Sequence, residues 1–260
     1  MIEFSDVTVE YPNGVKGLDG VSLQIPEGQF VVVVGLSGAG KSTLVRSING
    51  LVPITGGELR VDDFSLRGIR RKRLRRLRAE VGMIFQSFNL VKRTSVMNNV
   101  LMGRLHATAT IPSVLGLFSH QDKELAFDAL ERVGIVEKAY TRASQLSGGQ
   151  QQRVAIARVL AQQPRLVLAD EPVASLDPPT ANAVMRDLQR INRDLGITTV
   201  VNLHFLDLAR RYGDRIIGMR GGKVVFDGTG AEADDEVFER IYGRSLTADD
   251  VIDKQAGSLG

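Results

Sequence analysis

The fold is decided by residues 29 to 50, which read QFVVVVGLSGAGKSTLVRSING. The first seven are almost continuously apolar and β-branched, as in a strand that is buried on both faces of a parallel sheet. A glycine-rich turn follows, and then a helix-forming run that begins near Lys41. Glycines let a ligand approach the backbone closely, and the bare amides at a helix N-terminus attract anions. The stretch therefore predicts a strand, a phosphate-binding loop and a helix.

The loop itself, GLSGAGKS at residues 35 to 42, matches a polyphosphate-binding motif. Its glycines let backbone amides wrap the phosphates, Lys41 reaches the terminal phosphates, and the Ser42 hydroxyl can ligate Mg²⁺. A chance match is a poor explanation, because the strand and the helix that the motif requires are both present. A polyphosphate with Mg²⁺ is therefore the predicted ligand.

The same alternation of strand and helix recurs along the chain. Buried strands are predicted at residues 165–170 (RLVLAD) and 197–204 (ITTVVNLH), each followed by a helical stretch. This is the pattern of an α/β fold, whose ligands bind at the carboxyl ends of the strands. Between about 87 and 157 the periodicity is helical, which predicts an inserted helical subdomain. The first thirty residues predict short strands with turns at YPNG and PEG, and the tail from about 231 predicts a short helix and a loose end.

Polar side chains follow several of these strands. Asp170 ends one of them and can hold Mg²⁺ directly or through water, and the adjacent Glu171 is placed to polarise an attacking water. Gln86 follows the strand-like VGMIF, and His204 follows TTVVNL. Either residue alone would more often be structural. Together they are candidate sensors of a γ-phosphate at the same edge of the sheet.

A basic run at residues 67 to 80, RGIRRKRLRRLRAE, holds 8 of the 33 basic residues and 1 of the 30 acidic ones. The rest of the chain has 25 basic and 29 acidic residues, a net charge of −4, against +3 for the whole. A nucleic-acid patch or a surface for anionic lipid would explain the run. However, Leu74, Leu77 and Val81 recur at spacings of three and four, and no aromatic residue lies among the arginines. We therefore predict an amphipathic helix with a solvated arginine face, and no nucleic-acid partner.

Composition excludes several classes of protein. The chain has no cysteine, which removes disulfides, thiolate zinc sites and cysteine nucleophiles and fits a reducing compartment. The start has no basic segment followed by an apolar one, and the longest apolar stretches are far too short to span a bilayer. At 260 residues the chain can bury a substantial core. A soluble cytoplasmic protein is expected.

A second Ser-Gly-Gly loop precedes a helix-forming run in ASQLSGGQQQRVAIAR, residues 143 to 158. This is again a phosphate-binding arrangement, and it needs an explanation because the chain already has one. The stretch LSGGQ, lying between the first loop and LADEP, resembles the signature of the ATP-binding cassette (ABC) ATPases, and the resemblance runs from residue 1 to about 240. It implies a P-loop NTPase: a RecA-like core with an N-terminal antiparallel β subdomain and an inserted α-helical subdomain.

The resemblance also implies a role for each matching residue. The adenine would stack on Tyr11, and the Walker A loop would be Gly35 to Thr43, with Gly35, Ser37, Gly38, Gly40, Lys41, Ser42 and Thr43 on the phosphates. The catalytic residues would be Glu171, His204 and Gln86, and Mg²⁺ would be held by Ser42, Gln86 and Asp170. The signature residues Ser147, Gly148, Gly149 and Gln150, and Asp177 of the loop from Ser175 to Asp177, would contact the nucleotide.

The resemblance also explains why the chain has two phosphate-binding loops. In this family two copies pair head to tail, and the signature loop of one copy caps ATP on the first loop of the other. A second copy of the chain is therefore the expected partner, through an interface that uses the same patch twice. Leu36 departs from the proline common after the first loop glycine, without touching the chemistry.

A finer resemblance is to the ATPases of phosphonate importers, through GMIFQSFNLVKR, SVLGLFSHQDKELAFDALERVGI, ADEPVASLDP and LDLARRYGDRIIGMRGGKVVFDG. It implies ATP hydrolysis that powers uptake through separate membrane permease subunits, with a solute-binding protein as an indirect partner, at the cytoplasmic face of a prokaryotic membrane. Phosphite, phosphate or another small solute stays open, as does a soluble ABC ATPase outside transport. The implied domains are a cassette at 1–240, with its core at about 1–86 and 158–230 and its helical part at about 87–157, and a tail at 241–260.

Overall fold

The computed structural model describes residues 1–108, 116–247 and 250–252 of the chain. The strands are β1 (Ile2–Glu10), β2 (Lys16–Ile25), β3 (Phe30–Val34), β4 (Gly56–Val61), β5 (Phe64–Ser65), β6 (Val81–Phe85), β7 (Leu166–Asp170), β8 (Thr198–Asn202), β9 (Arg215–Arg220) and β10 (Lys223–Gly228). The helices are α1 (Lys41–Ile48), α2 (Arg71–Glu80), α3 (Val96–Leu101), α4 (His120–Arg132), α5 (Gly148–Ala161), α6 (Pro178–Leu195), α7 (Leu206–Tyr212) and α8 (Asp235–Tyr242). Short 3₁₀ turns lie at Met102–His106, Val136–Lys138 and Ala143–Gln145.

The N-terminal strands form an antiparallel sheet of four strands in the order β2-β1-β4-β5. The turns predicted at YPNG and PEG separate β1 from β2 and β2 from β3. The first two strands have nine and ten residues, so they are longer than the short strands that the sequence predicts. The predicted antiparallel subdomain is confirmed.

The second sheet has six strands in the order β10-β9-β3-β8-β7-β6. All neighbouring strands run parallel except β10, which pairs antiparallel with β9. The strands predicted from their continuous apolar runs are β3, β7 and β8, although β8 ends at Asn202, so that His204 lies in the following loop. The parallel α/β core is confirmed.

The register of this sheet sets the positions of the polar residues at its carboxyl edge. Phe85 pairs with Asp170, Asp170 pairs with Asn202, and Asn202 pairs with Val33. The ends of four strands therefore lie at one level. The residues that follow them meet at the same edge of the sheet, as parallel strands require.

Two hydrophobic cores lie on opposite faces of the parallel sheet, which explains why β3 is buried throughout. Val31 and Val33 pack with α1 and the antiparallel sheet. Phe30, Val32 and Val34 belong to the other core, together with α4, α5, α6 and α8. Successive side chains of a strand point to opposite faces. A strand covered on both faces consequently reads as a continuous apolar run.

The helices α3, α4 and α5 fall between β6 and β7 and form the inserted helical part. Helix α4 begins with a capping box in which Ser119 and Asp122 exchange hydrogen bonds. The same carboxylate receives a hydrogen bond of 2.8 Å from Arg104, and both residues are buried. The predicted end of the helical part, at about residue 157, lies inside helix α5. The predicted division into domains stays a prediction. Residues 113–115 of the stretch SVLGLFSHQDKELAFDALERVGI lie outside the described residues.

The basic run forms helix α2, as its periodicity predicts. Leu77 is buried against the core, whereas the basic side chains of the helix are exposed. Arg78 donates to the carbonyl oxygens of Asn49 and Gly50, which ties the helix to the chain just after α1. The amphipathic interpretation is therefore confirmed. No helix in the described ranges is long and apolar enough to cross a membrane.

The chain after α8 differs from the predicted loose end. Arg244 forms two hydrogen bonds of 2.8 Å with the carboxylate of Asp250, and the Ile252 side chain is buried in the core. The prediction of a short helix is confirmed by α8. The prediction of a loose end is wrong for residues 250–252. Residues 248–249 and 253–260 of the predicted tail lie outside the described residues.

Candidate nucleotide-binding site

The glycine-rich loop connects β3 to α1 through a backbone that few residues other than glycine adopt. The φ angles of Gly35, Gly38 and Gly40 are 152°, 80° and 107°. A side chain at Gly40 would overlap the carbonyl oxygen of Gly17, so this position is restricted by both conformation and space. Helix α1 has no side-chain cap and no acidic residue in its first turn. Its N-terminal amides and dipole are therefore available to an anion.

Lys41, the first residue of α1, is buried beneath this loop. Its ammonium donates to the carbonyl oxygens of Gly35 and Leu36 at 2.7 and 3.0 Å. An ammonium has three N–H groups, so one is left for a phosphate oxygen. Burial lowers the pKa of Lys41, and the charges of Glu171 and Asp170 act in the opposite direction. The two carboxylates thus help to keep a positive charge under the loop.

Asp170, which is only 3 % exposed, is the centre of a hydrogen-bond network. Its Oδ1 accepts from the Ser42 hydroxyl at 2.8 Å and from the Asn202 amide at 2.7 Å. Its Oδ2 accepts from Arg46, with both Nε and Nη2 at 2.8 Å. Asn202 also donates to Ser42 Oγ at 3.2 Å. Four donors therefore surround one buried carboxylate.

The donor set fits Mg²⁺. Ser42 Oγ donates to Asp170 and accepts from Asn202, which leaves one lone pair of the hydroxyl for a cation. The described residues contain no group of three or more His, Cys, Asp or Glu that could hold a metal by itself. Mg²⁺ prefers oxygen ligands and is commonly held by one or two protein groups together with water and substrate phosphates. Ser42 and Asp170 match that kind of site.

Glu171 and His204 form a pair beside this network. His204 Nε2 lies 2.5 Å from Glu171 Oε1. The hydrogen bond from His204 lowers the pKa of Glu171, so the carboxylate is ionised at neutral pH. Glu171 has a φ of 54°, which is unusual for a residue with a side chain, and its amide donates to the Asn202 carbonyl at 3.2 Å. Such backbone outliers are concentrated at functional sites, which supports a chemical role for Glu171.

Gln86 lies at the same edge of the sheet. It follows Phe85, whose partner in the neighbouring strand is Asp170, and its side chain is exposed. Arg158 of helix α5 donates to the carbonyl oxygens of Phe88 and Asn89 at 3.0 and 2.7 Å. The segment after Gln86 is therefore hydrogen-bonded to helix α5, which begins at the LSGGQ motif.

Tyr11 lies in the turn between β1 and β2, and it is 37 % exposed. Its hydroxyl is 2.9 Å from the Thr43 hydroxyl, in the first turn of α1. An exposed aromatic ring next to the phosphate-binding loop is suited to stacking on a planar base. The structure thus places the predicted adenine contact beside the predicted phosphate contacts.

The second glycine-containing loop has its own place in the structure. Ser147 caps helix α5 through a capping box with Gln150, in which each side chain binds the other's backbone amide. Within the described residues, no hydrogen bond joins residues 147–150 to the first loop at residues 35–43. Asp177 caps the neighbouring helix α6 by accepting from the Thr180 amide at 3.1 Å, and a side chain at Gly149 would meet Thr180.

Comparisons with known proteins agree with this geometry. The family model described as "ABC transporter" matches residues 18–174. The chain is 59 % identical over 98 % of its length to the phosphonates import ATP-binding protein PhnC 3 of Halalkalibacterium halodurans, and the match covers 99 % of that protein. It is 60 % identical over 98 % of its length to the phosphonates import ATP-binding protein PhnC of Shouchella clausii, and the match covers 96 % of that protein.

Solved structures give the same result. The dimeric ATP-binding cassette MJ0796, in a post-hydrolysis state bound to ADP and phosphate, superimposes with a TM-score of 0.75 at 34 % identity. The match covers 88 % of this chain and 98 % of that one. The chain is an ATP-binding cassette of the ABC transporter family. ATP is accordingly the nucleotide of the cassette, and the predicted fold of the family is confirmed.

The cassette brings most of the predicted site residues together and leaves one group apart. Hydrogen bonds connect Ser42 to Asp170 and Glu171 to His204, and Gln86 follows the strand beside them. The signature residues 147–150 and Asp177 instead occupy the N-termini of two helices, where they are largely exposed. The catalytic and binding roles of all these residues stay predictions.

Three residues of the cassette site were missed by sequence reasoning. Arg46 lies four residues after Ser42 on α1, so the helical period puts both on one face, and this signal was available. Asn202 is a polar residue inside the apolar run TTVVNL, two positions before His204, which was also a usable signal. Tyr242 donates to the His204 carbonyl from 38 residues away, and no local pattern predicts such a contact.

Proposed function

We propose that the cassette hydrolyses ATP with Mg²⁺ at a site shared by two copies, and that this powers import of phosphonate or a related phosphorus oxyanion. The observation that carries the proposal is the Glu171–His204 pair, next to the network of Asp170 and Ser42. The lowered pKa keeps the Glu171 carboxylate ionised, and an ionised carboxylate that is held by a histidine next to a phosphate-binding loop is suited to orient an attacking water and accept its proton.

Each group of the site has a part in the proposed reaction. Lys41 and the loop amides bind the terminal phosphates, and Tyr11 stacks on adenine. Mg²⁺, which Ser42, Gln86 and Asp170 would hold, would neutralise charge that develops on the transferred phosphoryl group. Glu171 accepts the proton of the water, and His204 orients Glu171 and contacts the γ-phosphate.

Two features support a site shared between copies. The signature residues 147–150 lie at the exposed N-terminus of a helix of fourteen residues, where two glycines leave the amides accessible to an anion. They are not joined to the first loop of their own chain by hydrogen bonds among the described residues. A head-to-tail dimer would place this loop against the nucleotide on the first loop of the partner, and the related cassette MJ0796 is described as dimeric.

The importer assignment rests on relatives described as phosphonates import ATP-binding proteins. We propose that the cassette works at the cytoplasmic face of a prokaryotic membrane, docked on separate permease subunits that receive solute from a binding protein. Phosphite and phosphate are alternative solutes, because the solute is selected by the permease and the binding protein. The proposed division, a core at about 1–86 and 158–230 and a helical part at about 87–157, would let docking movements reach the nucleotide.

Substitution of Glu171 by glutamine tests the proposed chemistry. Glutamine keeps the shape of the side chain but is a far weaker base, so we expect steady-state phosphate release to fall by about 10² or more. ATP binding, measured with a fluorescent nucleotide, should stay within a few-fold of wild type. Asp214→Asn, an exposed carboxylate at the opposite end of the parallel strands, serves as the matched control and should hydrolyse ATP normally. Near-normal turnover of the Glu171→Gln variant would mean that another group activates the water.

The solute is tested with the assembled transporter. The cassette and its permease, reconstituted in vesicles with the solute-binding protein, should show ATP hydrolysis that is stimulated by a phosphonate and transport that depends on Glu171. Stimulation by phosphite or phosphate, with none by phosphonates, would replace the solute in the proposal and leave the ATPase chemistry unaffected.

A further inference from the structure

The C-terminal segment contacts the loop that carries His204. Tyr242, the last residue of α8, is only 4 % exposed, and its hydroxyl donates a hydrogen bond of 2.8 Å to the backbone carbonyl of His204. That loop spans Leu203 to Phe205, between the end of β8 and the start of α7. On its other side, the Leu203 amide donates to the Val33 carbonyl at 3.0 Å. The loop is therefore held between the parallel sheet and the C-terminal segment.

A second contact lies three residues beyond His204. The Ile252 amide donates to Asp207 Oδ1 at 3.1 Å, in the first turn of α7. The Ile252 side chain is buried in the same hydrophobic core as α7. Tyr242 thus contacts the His204 loop at the histidine itself, and Ile252 contacts the helix that follows it.

The two described parts of the chain that make these contacts, residues 242–247 and 250–252, are joined by hydrogen bonds. Gly243 turns the chain at the end of α8 with a φ of 66°. Arg244 then forms two hydrogen bonds with Asp250, and its guanidinium carbon lies 5.5 Å from the centre of the Tyr242 ring. Burial raises the pKa of the Tyr242 hydroxyl, so it stays a donor at all ordinary pH values. The hydrogen bond to His204 therefore has a rigid support.

The position of His204 matters because its imidazole lies 2.5 Å from Glu171, in a loop rather than in a regular element. A small displacement of the loop backbone would lengthen this contact, and reacting groups are sensitive to displacements of that size. We infer that Tyr242 and the residues that support it, Arg244, Asp250 and Ile252, form a clasp that positions His204 for hydrolysis, with Tyr242 as the positioning residue. The inference rests on the proposed role of His204.

The test compares two buried tyrosine hydroxyls. Tyr242→Phe removes only the hydrogen bond to His204, so we expect kcat for ATP to fall about 3- to 10-fold, the effect of one ordinary hydrogen bond. KM and the dissociation constant for ATP should stay within twofold. Tyr212→Phe is the matched control, because Tyr212 is also buried and donates to the Asn182 carbonyl at 3.1 Å, on the other end of α7. Its kcat should stay within twofold of wild type.

A double-mutant cycle separates positioning from general stability. If Tyr242 acts through His204, then Tyr242→Phe should cause no further loss of turnover in a His204→Ala background. An equal loss in both backgrounds, or an unchanged kcat for Tyr242→Phe alone, would overturn the clasp. Wild-type turnover of His204→Ala would instead refute the proposed role of His204, so the two failures are distinguishable. Single-turnover phosphate release with excess protein measures the slow variants.

Discussion

Asp170 shows how much of the site depends on residues outside the recognised motifs. Three of its four donor groups come from Arg46 and Asn202, and Asn202 also donates to Ser42. A buried carboxylate keeps its charge and its orientation only when its oxygens are hydrogen-bonded. Asn202 therefore helps to keep two of the three predicted magnesium ligands, Ser42 and Asp170, in contact with each other.

Replacement of Asn202 by valine should weaken the Mg²⁺ site. Valine fits a buried strand but donates no hydrogen bond, so Ser42 and Asp170 would lose a shared partner. We expect the Mg²⁺ concentration for half-maximal binding of a fluorescent ATP analogue to rise about 3- to 10-fold. Thr199→Val, a polar-to-apolar change at the other end of the same strand, is the control and should leave that concentration unchanged. The same Mg²⁺ dependence in both variants would exclude a role for Asn202 at the metal.

The predicted stacking of Tyr11 on adenine can be tested separately from its contact with Thr43. Stacking on adenine is worth about 1 to 3 kcal/mol by analogy with stacked nucleic-acid bases, so Tyr11→Ala should weaken ATP binding by a factor that corresponds to this energy. Tyr11→Phe retains the ring and loses only the contact with the Thr43 hydroxyl, so its affinity should be nearly normal. Both are measured as nucleotide dissociation constants. An unchanged ATP dissociation constant for the alanine variant would mean that Tyr11 has only a structural role in the turn.

At the scale of elements, the segment after β6, residues 86–93, leads from the carboxyl edge of the parallel sheet to the protein surface. Arg158 of α5 holds Phe88 and Asn89 in this segment, and the exposed side chains of Lys92 and Arg93 follow. In the described part of the chain, no ion pair involves either of these two cations. They are consequently free to meet a partner. The resemblance to importer ATPases implies that this region receives a cytoplasmic helix of the permease.

Charge reversal of Lys92 and Arg93 to glutamate tests this docking segment. We expect permease assembly and transport to be impaired more than the basal ATPase activity of the isolated cassette, because neither residue is among the predicted catalytic groups. Reversal of Arg75 and Arg76, two exposed cations on α2, controls for a general effect of surface charge. Assembly is measured by co-purification, and transport by solute uptake into vesicles. Equal losses in the isolated cassette and the assembled transporter would eliminate the docking interpretation.

Helices and strands could be predicted from the sequence where their buried side chains recur at a regular spacing. A segment that is held by a single contact could not be predicted. The strands β3, β7 and β8 read as apolar runs because both faces are covered, and α2 was predicted from the spacing of Leu77 and its neighbours. The packed residues 250–252 were not, since Val251 and Ile252 are only a two-residue apolar pair that follows the acidic pair Asp249 and Asp250 and shows no helical or strand period. The contact of Tyr242 with His204 likewise depends on how the chain folds back after β10, which no local period encodes.

At the scale of the whole molecule, the two predicted phosphate-binding loops belong to different parts of one chain. The first, at residues 35–43, follows strand β3 of the parallel sheet and leads into α1, and the second, at residues 147–150, begins a helix of the inserted part. The motifs, and the ligands that the resemblance assigns to them, were readable in the sequence. Their separation within one chain could be known only from the fold, because a distance of about one hundred residues says nothing about a distance in space.

The central claim, that each ATP is bound by the first loop of one copy and the second loop of its partner, is tested most directly by mixing two inactive variants. One carries Lys41→Ala with an intact signature, and the other carries Ser147→Arg with an intact first loop. Ser147 is exposed, so the larger side chain does not disturb the core. Each variant alone should be nearly inactive.

Free exchange of equal amounts of the two variants should place about half of all dimers in the mixed state, which contains one site built from two intact loops. ATP hydrolysis should therefore reappear on mixing, measured as phosphate release after differently tagged subunits have been co-purified to demonstrate exchange. If both loops served the nucleotide of their own chain, every site in the mixture would carry one defect. An absence of recovered activity in demonstrated mixed dimers would contradict the shared site.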